Sequence, residues 1–309
     1  MRKNIQKAFV LDIGSTSVRL LIGERIDGGE IKILVNTGVV THLQASMKPR
    51  TEIDFNAAKK TFDAVDELLS NADIQTSGKG AVICTQSVRQ AADPGMFLAY
   101  LERLAGVKPE VLSKVREGQL AFKGSESLVG ENDLMIDFGG GSTEIVVKDS
   151  EGDLLVQSIS IGSGSLLPID RRRIRAGETS FSSVIELADQ QWATLLSDVD
   201  IFRKESAVVV GGTTASLGSI YWGYKTFRSE MLHGQRFSLD ELMAVIRALS
   251  RMSDEEIGFL SGMEAGRQSI VFNGGCLLIS LCRLLGVQHL TLSEQGIRFG
   301  RLFELLHEA

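Results

Sequence analysis

Two stretches of the chain place a carboxylate beside a bare, hydroxyl-rich turn. In Phe9–Glu24 (FVLDIGSTSVRLLIGE), Asp12 precedes Gly14, Ser15, Thr16 and Ser17. In Leu134–Asp149 (LMIDFGGGSTEIVVKD), Asp137 precedes Gly139, Gly140, Gly141, Ser142, Thr143 and Glu144. Backbone N–H groups of such turns bind anions without basic side chains. Hard carboxylates near a phosphate imply Mg2+ held through few protein ligands and several waters, which makes Asp137, Glu144 and Asp12 the candidate metal ligands. Gly211-Gly212-Thr213-Thr214 is a third turn of this kind, at the expected start of a helix. A simpler reading stands beside each: a strand-end Asp also caps turns, and Arg19 either reaches phosphate or lies on the surface. Transfer of a phosphoryl group to water further needs a residue that orients or deprotonates the water. Glu117, in Lys114-Val115-Arg116-Glu117-Gly118-Gln119, is the acid near a strand-to-helix junction of the first half. A glutamate there equally suits the helix dipole, and the residues alone leave the two readings open.

The elements that must position these groups occur twice. Each motif reads strand, tight turn, strand, continuing through Asp27-Gly28-Gly29 into Ile31–Val40, and through Ser150-Glu151-Gly152-Asp153 into Leu154–Ile161. That predicts an antiparallel meander of three strands in each half. Helical spacing of apolar residues follows over Asn56–Leu69 and Phe181–Leu196. Strands Gly80–Cys84 and Ala207–Val210 come next, each running directly into a helix. Each half closes with helix, short strand, helix: Pro94–Leu104, Glu110–Leu112 and Glu117–Lys123 in the first. In the second these are Asp240–Ser250 with Gly274–Leu285, then His289–Leu292 and Gly296–Leu306. The repeated order β-β-β-α-β-α-β-α predicts two α/β domains, each a mixed five-stranded sheet covered by helices. The boundary falls at Gly124–Glu131, giving domains 1–124 and 125–309, with the last helix (about 296–309) able to pack back on the first. Two facing lobes with a phosphate site in the cleft between them are expected, closing on substrate.

At 309 residues, 43% hydrophobic and 23% charged, the chain has the composition of a globular protein with large cores. No apolar stretch approaches the roughly 18 residues that span a bilayer, and the basic start (MRKNIQKAFVLD) lacks a signal-peptide core. A cytoplasmic protein with no membrane partner is expected. The net charge of −6 argues against broad nucleic-acid binding. Arg171–Arg173 with Arg175 could form a local polyanion pocket, though a solvated helix face is the better reading. Cys84, Cys276 and Cys282 lie in apolar contexts and read as buried thiols.

Taken together, these residues resemble the exopolyphosphatase/guanosine pentaphosphate phosphatase (Ppx/GppA) family, within the actin-like, sugar kinase and Hsp70 ATPase superfamily. Asp12–Ile22 (DIGSTSVRLLI) resembles its first phosphate motif, and Ile136–Glu144 (IDFGGGSTE) is nearly identical to its second. Ser87–Ala91 (SVRQA), Gly211-Gly212-Thr213, His233-Gly234 and Leu292-Ser293 with Gly296 fall where the family has similar residues. The resemblance implies two duplicated RNase H-like domains. It implies Glu117 as the residue activating water against the terminal phosphate of polyphosphate or guanosine pentaphosphate. Arg89 would contact the transferred phosphoryl group, Asp137 and Glu144 would organise Mg2+, and the glycine and hydroxyl turns would hold the phosphates. A monovalent cation is a further candidate cofactor, and a homodimer is the family-level assembly.

The chain departs from the family pattern in places. Thr16 replaces an asparagine, and Arg116 stands where an acid often precedes the glutamate. Thr41–Ser46 lacks the usual glycine-rich loop, and a common aspartate is replaced near Ser269. Arg116 beside Glu117 is expected to lower its pKa. The chain ends after two domains, where longer relatives carry a helical extension whose contacts a long polyphosphate would lose. These changes motivate two alternatives: a sensor that binds guanosine tetra- or pentaphosphate without turnover, and an actin-like ATPase.

Overall fold

The computed structural model describes residues 6–26, 28–46, 52–72, 79–165, 167 and 171–307. Asp27 of the first hairpin turn and the basic residues 1–5 lie outside them. The chain divides into two compact units: Met1–Gly124 with Ile297–Ala309, and Ser125–Gly296.

The first unit runs β1 (Gln6–Ile13), β2 (Ser17–Arg25), β3 (Ile31–Val40), α1 (Phe55–Asn71), β4 (Lys79–Cys84), α2 (Gln86–Gln90), α3 (Gly95–Ala105), β5 (Pro109–Val111) and α4 (Lys114–Ser125). Its sheet has the order β3-β2-β1-β4-β5, with the meander antiparallel and β1, β4 and β5 parallel. Period-two alternation sends the two faces of β1 into different cores. Phe9, Leu11 and Ile13 join Val65, Leu68, Phe97 and Leu101 from α1 and α3. Ala8 and Val10 join Leu120 of α4 and Phe299, Leu302 and Leu306 of the last helix. The α1 helix starts where it does because Asp54 caps it, accepting from the N–H groups of Asn56 and Ala57, both at 3.0 Å.

The second unit repeats this plan as β6 (Leu134–Phe138), β7 (Thr143–Lys148), β8 (Leu154–Ile159), α5 (Arg171–Arg175), α6 (Phe181–Ala193), β9 (Ser206–Val210) and α7 (Gly212–Tyr221). It continues with β10 (Arg236–Ser238), α8 (Leu239–Leu249), α9 (Asp254–Gly258), α10 (Val271–Leu285) and β11 (His289–Ser293). Its sheet order is β10-β11-β9-β6-β7-β8. Here the expectation of five strands is corrected to six: β10 pairs antiparallel with β11 at the sheet edge. Three residues are too short to show a period, and they lead straight into a capping box formed by Ser238 and Glu241 at the start of α8. One core fills this unit around the fully buried Trp192, whose indole N–H donates to the Leu277 carbonyl at 2.9 Å. The three cysteines are buried and free.

The last helix, α11 (Ile297–His307), belongs to the first unit. Its C-terminal carbonyls receive Lys79 Nζ (to Leu305) and Arg25 Nη1 (to Leu306), both at 3.4 Å. Among the described residues no helix is long and apolar enough to cross a membrane. The arginine run lies on the short α5 and is engaged in ion pairs: Arg171 with Asp254, and Arg173 Nε with Glu178 at 3.1 Å.

Candidate active site

In the first unit the chemistry gathers at the carboxyl ends of β1 and β4. Asp12, the penultimate residue of β1, lies opposite Arg19 of β2 in the register. The turn between them is self-supporting, because the Gly14 N–H donates to the Ser17 carbonyl at 3.0 Å and is committed within the turn. The Thr16 carbonyl accepts from Thr41 and His42, and the Ser15 carbonyl from Gln44, all at 2.9 Å. Thr41–Gln44 thus braces the motif despite lacking glycine. His42 takes a left-handed φ of 54°, a conformation open to glycine and uncommon for other residues. Ser87 Oγ donates to Ser15 Oγ at 2.7 Å, tying α2 to the same turn.

Glu117 sits one helical turn into α4 because the helix begins earlier than its apolar residues indicate. Ser113 Oγ accepts from the Arg116 N–H at 3.2 Å, and the Ser113 carbonyl from the Glu117 N–H at 2.9 Å. Glu117 is 6% exposed, and its carboxylate receives Arg89 Nη1 at 2.8 Å. The same nitrogen donates to the Leu112 carbonyl at 2.7 Å, which fixes the guanidinium. Arg89 Nη2 is buried and without a hydrogen-bond partner among the described residues, an unmet donor that a phosphoryl oxygen would satisfy. Burial pushes the Glu117 carboxyl above its ordinary pKa, against the opposing pull of Arg89 and Lys114. This corrects the expectation that Arg116 lowers it: Arg116 Nη2 pairs at 2.5 Å with Glu304 of α11 instead. Burial likewise raises Asp12 to about 6, with Arg298 and Arg19 pulling down and Glu117 pushing up. Asp12 Oδ1 has no partner among the described residues.

In the second unit the counterpart turn joins β6 to β7. Asp137 stands opposite Glu144, and Glu144 opposite Ser158 of β8, whose hydroxyl donates to Glu144 Oε1 at 2.6 Å. Two carboxylates facing each other across adjacent strands repel, and a divalent cation relieves that. Among the described residues no cluster of three acidic, histidine or cysteine ligands occurs. Mg2+ needs only one or two carboxylates, completed by water and phosphate oxygens, so the facing pair fits that ion.

The triple glycine is closed from outside by Gly162–Gly164. Ser163 and Gly164 donate to the carbonyls of Gly139 and Gly140, both at 2.8 Å. A Cβ on Gly162 would come within 2.6 Å of that backbone. Thr143 Oγ1 donates to the Ile161 carbonyl at 2.6 Å. Gly211 adopts φ 137° and lies so close to the Phe138 carbonyl that no side chain fits. It leads into α7, where Thr213 is fully buried with an unpartnered Oγ1 among the described residues. Arg267, 3% exposed and paired with Glu264, packs directly on Gly212.

The structure brings together Glu117 and Arg89, both named from the sequence, and sets beside the two turns and Glu117 residues the sequence did not single out: Gly162–Gly164, Arg267, Lys114, Arg298 and Glu304. The Gly-Ser-Gly-Ser run after Ile161 was a readable signal for the first of these. The charged residues carried no local pattern, since their roles depend on distant elements.

The two sheets share one topology, a meander followed by two crossovers, with a glycine turn after the first strand of each, so that a mixed α/β architecture is built twice. The chain belongs to the Ppx/GppA phosphatase family, whose sequence model matches residues 6–309. Among curated relatives it is 23% identical to a guanosine-5'-triphosphate,3'-diphosphate pyrophosphatase of Pseudoalteromonas translucida, covering 97% of this chain and 59% of that protein. The chain thus spans little more than half the length of such relatives. It is also 23% identical to exopolyphosphatase 2 of Mycobacterium tuberculosis, covering 96% of this chain and 97% of that one. Similar solved structures include the Aquifex aeolicus family member (TM-score 0.77, 23% identity, 98% and 99% of the two chains). An exopolyphosphatase from Cytophaga hutchinsonii is comparably similar (TM-score 0.77, 21% identity, 98% and 99%).

Proposed function

We propose that this protein is a Mg2+-dependent phosphoanhydride hydrolase that releases the terminal phosphate of inorganic polyphosphate or of guanosine pentaphosphate. The observation that carries this reading is the Glu117 carboxylate: buried, raised in pKa, and oriented by an arginine that keeps a second donor unmet. In this reading Glu117 takes a proton from water as the water oxygen attacks the terminal phosphorus. The bond from phosphorus to the bridging oxygen breaks, and the shortened chain leaves with that oxygen. Arg89 Nη2 meets the charge on the transferred phosphoryl group. Gly139–Ser142 and Gly211–Thr213 offer backbone and hydroxyl groups to the remaining phosphates, and in the first turn Ser15, Thr16 and Ser17 with Arg19 do the same; the Gly14 N–H and the Thr143 hydroxyl, named from the sequence, are instead held within the protein. Asp137 and Glu144 would hold Mg2+, with Asp12 as a further acidic group. The ion would neutralise phosphate charge and orient the leaving oxygen. Three free, buried thiols suit the reducing cytoplasm as the place of action.

The test is phosphate release from polyphosphate and from guanosine pentaphosphate by wild type and Glu117→Gln. Removing a general base costs ~10²–10⁴-fold in kcat. For the wild type, kcat/KM is expected to rise with pH through a pKa above the usual glutamate range, because only ionised Glu117 accepts the proton; the variant loses that limb. Equal turnover by both proteins rejects the assigned base. Tight calorimetric binding of guanosine tetra- and pentaphosphate with no hydrolysis by wild type would replace the hydrolase with a sensor.

A further inference from the structure

Glu304 of α11 is 8% exposed and gathers three cations. Arg116 Nη2 and Arg301 Nη1 donate to its Oε2 at 2.5 and 3.1 Å, and Lys123 Nζ lies 3.7 Å from Oε1. Arg116 and Lys123 both come from α4, the helix that carries Glu117. Next to this cluster α4 and α11 touch backbone to backbone: a Cβ on Gly300 would overlap the Leu120 carbonyl. Arg116 immediately precedes Glu117 in sequence, and its flexible side chain is long enough to turn toward that carboxylate if released. Around Glu117 the charged groups already present are Arg89 from α2, Lys114 from its own helix and Asp12 from β1. A further guanidinium would add a hydrogen-bond donor to a carboxylate that must accept a proton.

We propose that Glu304 is a positioning residue for Glu117: it docks α4 on α11 and holds the Arg116 guanidinium away from the Glu117 carboxylate. The inference rests on Glu117 as the base. It also accounts for the basic residue preceding that base, because the carboxylate that restrains Arg116 comes from the last helix.

The experiment measures steady-state phosphate release and melting temperature for Glu304→Gln, Arg116→Gln/Glu304→Gln and Glu117→Gln. Glu304→Gln is expected to lower kcat ~10–100-fold, the scale of a misplaced catalytic group, with KM within about twofold. Adding Arg116→Gln removes the freed cation and is expected to restore kcat to within about threefold of wild type, a coupling that loss of stability alone does not produce. Should Glu304→Gln show no melting transition, Glu304→Asp, which keeps the charge but draws it back, carries the same comparison. A wild-type kcat in the Glu304 variant, or a double variant no faster than the single one, overturns the proposal. If Glu117→Gln turns over normally, the base assignment itself has failed. If Glu117→Gln is inactive while Glu304→Gln is normal, the positioning role alone is wrong.

Discussion

The two units carry the same strand–turn–strand motif with opposite electrostatics. Across β1 and β2 the first motif sets Asp12 against Arg19, an acid facing a base. Across β6 and β7 the second sets Asp137 against Glu144, an acid facing an acid. The first pair is neutral by itself; the second brings two acids together. One copy of the turn thus lies beside the proposed base, and the other is the proposed Mg2+ site. The strand-to-helix junctions differ in the same way. In the first unit Thr85, at φ −110°, leads into α2, whereas in the second Gly211, at φ 137°, leads into α7 against the Phe138 carbonyl.

Changing the acids of each turn puts that contrast to the test. Asp137→Asn and Glu144→Gln are each expected to raise the Mg2+ concentration for half-maximal phosphate release ~10–100-fold, the range seen when groups that organise a metal are altered. Asp12→Asn should shift that concentration far less, since arginines already balance its charge; an equal shift in all three would erase the contrast. A backbone comparison comes next. Gly211→Ala combines a left-handed φ with a clash and is expected to destabilise by about 2–4 kcal/mol, whereas Thr85→Ala, at an ordinary φ, should cost under about 1 kcal/mol; chemical denaturation reads both.

The smallest effect concerns Asp12 and pH. Its folded pKa, about 6, lies above its unfolded value. The protonated form therefore favours the fold: its contribution is complete below about pH 4 and lost as pH rises through about 6. Asp12→Asn should melt several degrees above wild type at pH 8, equivalent to about 2 kcal/mol, and the gap should close by pH 4. A gap that widens toward acid would reverse the sign and the argument.

Much of this was legible in the chain. The glycine turns, the meanders and the parallel crossovers follow from local periodicity and turn chemistry, and helix ends fell within a few residues. Glu117 was visible as an acid, though its burial and its arginine were not, because Arg89 approaches from another helix. Arg116 shows the limit most clearly. Its sequence neighbour is Glu117 but its partner is Glu304, and nothing at Arg116 itself points to the far end of the chain. The edge strand Arg236–Ser238 escaped for a different reason, being too short to carry a pattern.

The position of α11 has a consequence for synthesis. Ser125–Gly296 interrupts the first unit as one continuous segment, and α11 follows it. On the ribosome, the second unit can complete its core while the first still lacks the helix that covers Ala8, Val10 and Leu120. The first unit is completed after the second. Until α11 emerges, one apolar face of its sheet stays open, and the segment bearing Glu117 waits for the carboxylate that anchors it.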